Sequence, residues 1–252
     1  MRAPLLLVGW LVVLCGRMAP AADERPLAIQ GGAGSDIAAC LKQAAGPLQA
    51  AEGTLRPYIS QDRSLSHNLV DGIIQARGIL ADLLQKRSLG AGDAPRIHRS
   101  LLQTERANVL LLNLIERGEL PPTERRVALG LIAEGQRGLG EASFLAHGLK
   151  LKASRSAIER KGLPEYVTVS LANGGGKTLG ITRLLVIGPE GVVTQARSPW
   201  TFSEVPAGGA VSASFELAVQ GEALRRQPEL EIHLTYFSYQ SKATVIRRCR
   251  LQ

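Results

Sequence analysis

The chain has 252 residues, 45% hydrophobic, 21% charged and only 4% aromatic, with a formal charge of +8. That length and apolar content allow one or two domains with real cores, and the few aromatics make those cores aliphatic. Modest charge with few aromatic side chains argues against nucleic-acid binding.

Residues 1–22 read as a secretory signal: Arg2, an apolar run from Leu5 to Leu14, and Ala19-Pro20-Ala21 as an A-x-A cleavage site. The run is about half of the ~20 residues needed to span a bilayer, so no transmembrane span is expected once it is cleaved. Removal takes Arg2, Arg17 and Cys15 with it. Residues 23–34 end in three closely spaced glycines and read as a flexible leader.

A helical bundle is expected over residues 35–161. In the first segment Ile37, Cys40, Leu41 and Ala44 share a face, Gly46-Pro47 breaks or kinks the helix, and Leu48, Ala51 and Leu55 follow. The second helix, capped by Ser64 or Ser66, carries Leu69, Ile73, Ala76, Leu80 and Leu83 along one seam. Asp93 caps the third, with Ile97, Leu101, Thr104, Asn108, Leu111 and Ile115 in line. Thr123 caps the fourth, whose seam of Ala128, Ile132, Gly135, Leu139, Ala142, Ala146 and Leu149 is small enough for close helix approach. Short loops make these antiparallel neighbours. Lys150–Lys161 reads as a helix end running into a linker. Its cations Lys150, Lys152, Arg155, Arg160 and Lys161 offset a helix dipole or contact an anion or partner.

After Pro164 the period becomes two. Val167, Val169 and Leu171 alternate with Thr168 and Ser170, and a more continuously apolar strand runs from Leu179 to Ile187. Val192 to Ala196 is a short strand. Val211 to Val219, Leu230 to Tyr236 and Ala243 to Leu251 complete about six strands, with Trp200 in a connection. Val167–Asn173, its glycine turn and Ile181–Ile187 resemble the strand pairs of bacterial immunoglobulin-like or fibronectin type III-like domains. Val205-Pro206-Ala207-Gly208 resembles their turn into a sandwich strand. The resemblance covers 165–252 and implies an Ig-like β-sandwich after the bundle. No family is recognised in the helical part.

Gly174-Gly175-Gly176-Lys177-Thr178 imitates a phosphate loop. However, the pattern needs glycine at 171, where Leu171 stands, and a helix where a strand follows. It reads instead as a hairpin turn with a mobile tip, and no nucleotide is expected. The four histidines form no metal or haem motif. An up-and-down bundle brings His98 and His147 to one end, as a metal-binding or pH-sensing pair, but both stand beside the seam, which places them at its solvent edge. His233 faces outward on its strand. Thr104 and Asn108 are polar seam residues: a hydrogen-bond pair fixing register, or contacts to a ligand within the bundle. In an oxidising compartment, Cys40 and Cys249 are candidates for a disulfide.

These features imply a periplasmic or secreted, non-enzymatic binding or assembly protein of a bacterial envelope, without cofactor or metal. Its partner would be another envelope protein or an anionic surface. Two alternatives are a ligand-sensing bundle with a polar pocket and, behind it, a hydrolase with a site between the modules.

Overall fold

The computed structural model describes residues 26–27, 37–58, 65–116, 120–156, 165–188, 199–217 and 229–250. The signal segment, most of the leader, Arg160, Lys161 and the expected strand at 192–196 lie outside the described residues. Four helices precede most of the strands: α1 (Ile37–Leu55), α2 (Leu65–Leu84), α3 (Ala94–Glu116) and α4 (Pro122–Ala146). The strands are β1 (Pro26–Leu27), β2 (Leu149–Ser156), β3 (Glu165–Asn173), β4 (Thr182–Ile187), β5 (Trp200–Phe202), β6 (Ala210–Leu217), β7 (Glu229–Ser238) and β8 (Ser241–Arg250). Among the described residues no helix is long and apolar enough to cross a membrane.

The helical seams behave as the spacing requires. Leu69, Ile73, Ala76, Leu80 and Leu83 of α2 are all buried. Helix α3 packs on α2, where the Ser100 hydroxyl donates to the Ala76 carbonyl at 3.1 Å. Helix α1 differs from expectation, since it runs unbroken through Pro47. A proline inside a helix forfeits a hydrogen bond and costs about 3 kcal/mol. Packing supplies the compensation: Leu48, the next residue, is fully buried and abuts Gly135 of α4. Helix α4 begins at Pro122, so Thr123 lies in its first turn instead of capping it. Asp93 likewise closes the preceding 3-10 turn, accepting the Gly90 N–H at 3.0 Å and pairing with Lys86.

A larger correction concerns Leu149–Ser156. The stretch is strand β2, not a fading helix. Leu149, Leu151 and Ala153 are buried while Lys150 and Lys152 are exposed, the period of two that a half-buried strand needs. Arg155 lies opposite buried Val167 in register, on the other side of the strand from the two lysines. Lys150, Lys152 and Arg155 therefore do not share one face.

The strands make two antiparallel sheets, ordered β1-β2-β3-β6 and β5-β4-β7-β8. Trp200, expected in a connection, opens β5 opposite Leu184. Strands β3 and β4 belong to different sheets, so the glycine run between them is a crossover and not a hairpin tip. It is also packed. A Cβ on Gly175 would come within 2.6 Å of the His147 carbonyl oxygen, and one on Gly174 within 2.6 Å of the Gly148 oxygen. Asn173 anchors the run, accepting the Gly175 N–H at 3.1 Å and donating to carbonyls of Lys177, Val205 and Pro206. Glycine serves here for close backbone approach.

Helices and sheets share one buried cluster, running from Cys40 and Leu41 to Val245 and Cys249. Helices α3 and α4 both pack against β8, the edge strand of its sheet. The outward Lys242 N–H donates to the Glu105 carboxylate at 3.0 Å. Gly140 lets α4 sit against the Thr244 carbonyl, which a Cβ would overlap. Covering an edge in this way satisfies its spare backbone groups.

Gly140→Ala should therefore destabilise the protein by about 1–3 kcal/mol in urea unfolding. Gly130→Ala, at an exposed α4 position with nothing within 4 Å, should stabilise it by about 0.5–1 kcal/mol. Equal effects at the two sites would contradict the packing described.

Candidate functional site

Where the start of α3, the end of α4 and the β7–β8 turn meet, five polar side chains are sealed from solvent. His98, Ser143, Tyr236 and Ser241 are fully buried and His147 is 3% exposed. The His98 Nδ1 shares a hydrogen bond with Ser241 Oγ at 2.6 Å. The His98 Nε2 lies 2.7 Å from Ser143 Oγ and 3.2 Å from His147 Nε2. Ser143 in turn shares a hydrogen bond of 2.8 Å with the Tyr236 hydroxyl. Sequence position brings these groups together in a simple way. Antiparallel α3 and α4 put His98 and His147 at one end, and the inward alternation of Leu230, Ile232, Leu234 and Tyr236 points the tyrosine at them.

The solvent-edge expectation for the histidines fails because the β7–β8 hairpin covers that end. Their protonation state follows from burial. Desolvation first, then the neighbouring His147 and Lys177, lowers the His98 pKa to about 3. Desolvation and Lys177 lower that of His147 to about 4. Both imidazoles are neutral at pH 7, and either can donate to the other. Burial raises the Tyr236 pKa, so its phenol stays protonated. Among the described residues no three His, Cys, Asp or Glu side chains converge as a metal site.

The turn that closes this junction is strained. Tyr239 and Gln240 have φ of 46° and 68°, the left-handed region that a bulky side chain avoids. Two positive φ values match the two-residue turn that a twisted hairpin prefers. The Tyr239 ring is held from two sides. Its centroid is 5.8 Å from that of His147, at an interplanar angle of 21°, and the Lys177 Nζ stands 3.6 Å from it. Lys177, set in the glycine run, thus acts as a cation over an aromatic face and not as a phosphate ligand.

Beside the junction lies an open groove with a volume of about 510 Å³, between α3, α4 and the outer face of β8. Leu101, Val109, Ala133, Phe237 and Ile246 supply its apolar part, and Glu105, Arg137 and Lys242 its charges. Val109 is 58% and Phe237 42% exposed. Asn108 lines this groove. Thr104 does not; it is buried, with its hydroxyl donating to the Leu101 carbonyl of its own helix at 2.7 Å. The two polar seam residues therefore part company. His233 does lie on the outer side, 3.2 Å from Glu231, and the side chain of His67 is outside the described residues.

No disulfide joins Cys40 and Cys249; both are buried thiols. Cys40 belongs to the α1 face packed on Gly138, and Cys249 lies in β8 opposite Leu230. Burial pushes the Cys249 thiol up to about 11, which makes it inert at neutral pH.

No family model matches the chain, and no curated protein does. Two solved structures show a distant likeness. One is TssK from the T6SS of EAEC in complex with nanobody nb18, with 12% identity and a TM-score of 0.24 over 86% of this chain and 59% of that one. The other is the Pseudomonas fluorescens alkylpurine DNA glycosylase AlkC bound to DNA containing an abasic site analog, with 12% identity and a TM-score of 0.19 over 81% and 65%. The chain spans less than two thirds of either.

Two outcomes check the site. Tyr236→Phe removes one hydroxyl from a sealed network and should cost about 1–3 kcal/mol in denaturant unfolding; a neutral effect would mean that water reaches Ser143. Denatured without reductant, the chain lacking residues 1–22 should label at two thiols, Cys40 and Cys249. No labelling would restore the disulfide.

Proposed function

We propose that this is an exported, non-enzymatic binding or assembly protein of a bacterial envelope, periplasmic or secreted, which receives its partner in the groove between α3, α4 and β8. The observation that carries the reading is the pair Val109 and Phe237. Both stay exposed beside a recess with charged residues on its rim, and exposed apolar clusters of that kind mark interaction surfaces. The signal-like residues 1–22 support export. Residues 165–252, joined in one sheet by β1 and β2, would form the Ig-like sandwich that their strand pattern resembles, presenting β7 and β8 to the groove. The partner would be another envelope protein; the exposed Lys150 and Lys152 offer a secondary contact to an anionic surface.

One observation favours the sensing alternative. Asn108 faces the groove, whose volume falls within the roughly 300–1,000 Å³ of small-molecule sites. A small ligand there would be read by Asn108 and Gln136, with the apolar floor beneath it.

A photo-cross-linking residue placed at Val109 or Phe237 in cells should give one discrete protein adduct. The same residue at Gln49, exposed on α1, should give none. Adducts at all three positions, or at none, would overturn the binding reading. A small molecule retained by the native protein and lost in Asn108→Leu would favour sensing instead.

A further inference from the structure

The histidine pair sits where one hairpin is fastened to two helices, and a cation, Lys177, already stands beside it. From α3 comes His98, and from the end of α4 come Ser143 and His147. Strand β7 contributes Tyr236, the turn Tyr239, β8 Ser241, and the glycine run Lys177. Lys177 is the charged group facing both imidazoles. The Glu141–Arg247 pair acts on Tyr236. Among the described residues no carboxylate hydrogen-bonds either ring. An imidazolium formed here would be desolvated, beside a cation, and without a counter-charge.

A second tie on the same hairpin does not share this response. The Lys242 N–H is held by Glu105, whose half-buried carboxyl is raised in pKa by burial against the opposing pull of that hydrogen bond. A carboxyl that holds its proton more tightly closed than open favours the closed state as pH falls. The acid response therefore belongs to the histidines, and when they charge, the strained turn at Tyr239 and Gln240 loses the rings that hold it.

We propose that the β7–β8 hairpin is an acid-released clasp: protonation within the His98–His147 pair frees it from α3 and α4 and takes the groove apart, releasing whatever is bound there. The last step rests on the binding reading above; the clasp itself does not.

The direction follows from linkage. Closed, the imidazoles titrate near 3 and 4; released into water they return to the ordinary 6.5. The closed state is fully favoured above about pH 6.5 and loses ground as pH falls towards the lowered values. At about pH 5 each histidine raises the opening equilibrium roughly 30-fold, and the two together roughly a thousandfold.

Hydrogen exchange on the full chain, corrected for the intrinsic pH dependence of exchange, tests this without any partner. Between about pH 7.5 and 5, opening of the amides of 236–246 should rise by roughly three orders of magnitude while α1 and α2 stay protected. In His147→Gln, which keeps a polar atom near the Nε2 position but does not titrate, the rise should fall to roughly 30-fold. An unchanged hairpin, an equal rise across all helices, or a variant that responds like the wild type would each overturn the clasp. Should His147→Gln not fold, His98→Asn, which keeps a polar atom near the Nδ1 position that meets Ser241, serves in its place. There too the rise should fall to roughly 30-fold, and a response like that of the wild type counts against the proposal. Failure here leaves the groove cross-link standing, and a missing cross-link leaves the exchange result intact.

Discussion

The structure depends on how closely other backbones approach helix α4. Gly135 and Gly138 admit α1, with Leu48, Ala44 and the Cys40 carbonyl against them; Gly140 admits the Thr244 carbonyl of β8. One helix thereby touches a helical neighbour on one side and a strand edge on the other. Each glycine lowers intrinsic helix propensity by roughly 1 kcal/mol relative to alanine. Buried contact on both sides outweighs that loss. Those approaches, with the packing of α3 on β8, join the bundle to the sheets and bound both the sealed junction and the groove.

The junction has a different character from the aliphatic core around it. Apolar packing is forgiving about which neighbour it meets, whereas His98, Ser143, Tyr236 and Ser241 need particular partners at hydrogen-bond distance. Leaving one such group unmatched costs more than making the bond gains. The network therefore favours one docking of hairpin on helices over its near misses. The left-handed turn serves the same end, since Tyr239 takes up a costly φ only where its ring lies against His147 and Lys177.

Much of the architecture was legible in the residues. The four-three spacing of α2 buries all five of its seam residues, and the inward alternation of β7 ends on buried Tyr236. What was not legible depends on distant contacts. Lys-rich Leu149–Ser156 continues the helical seam through Leu149, and only pairing with β3 on one side and β1 on the other decides for a strand. Pro47 signals a break that packing against α4 overrides. Gly174–Gly176 carries the composition of a loose turn, but the His147–Gly148 backbone lies against it. Antiparallel helices place His98 and His147 together, yet nothing local says that a hairpin more than 90 residues away in sequence from Ser143 closes over them. A buried tyrosine in need of a hydroxyl partner was the available signal.

The covering of β8 has a consequence for how the molecule is made. His98 waits for Ser241 across 143 residues of chain, Glu105 for Lys242 across 137, and Glu141 for Arg247 across 106. A chain that emerges N-terminus first has its helices early, with two histidines and two carboxylates still facing water where the hairpin will sit. Contacts this remote in sequence form slowly, because a long loop must close before any of them is made. The helical half therefore stays incomplete until β8 arrives, and the last strand to be made is the one that completes the buried polar junction.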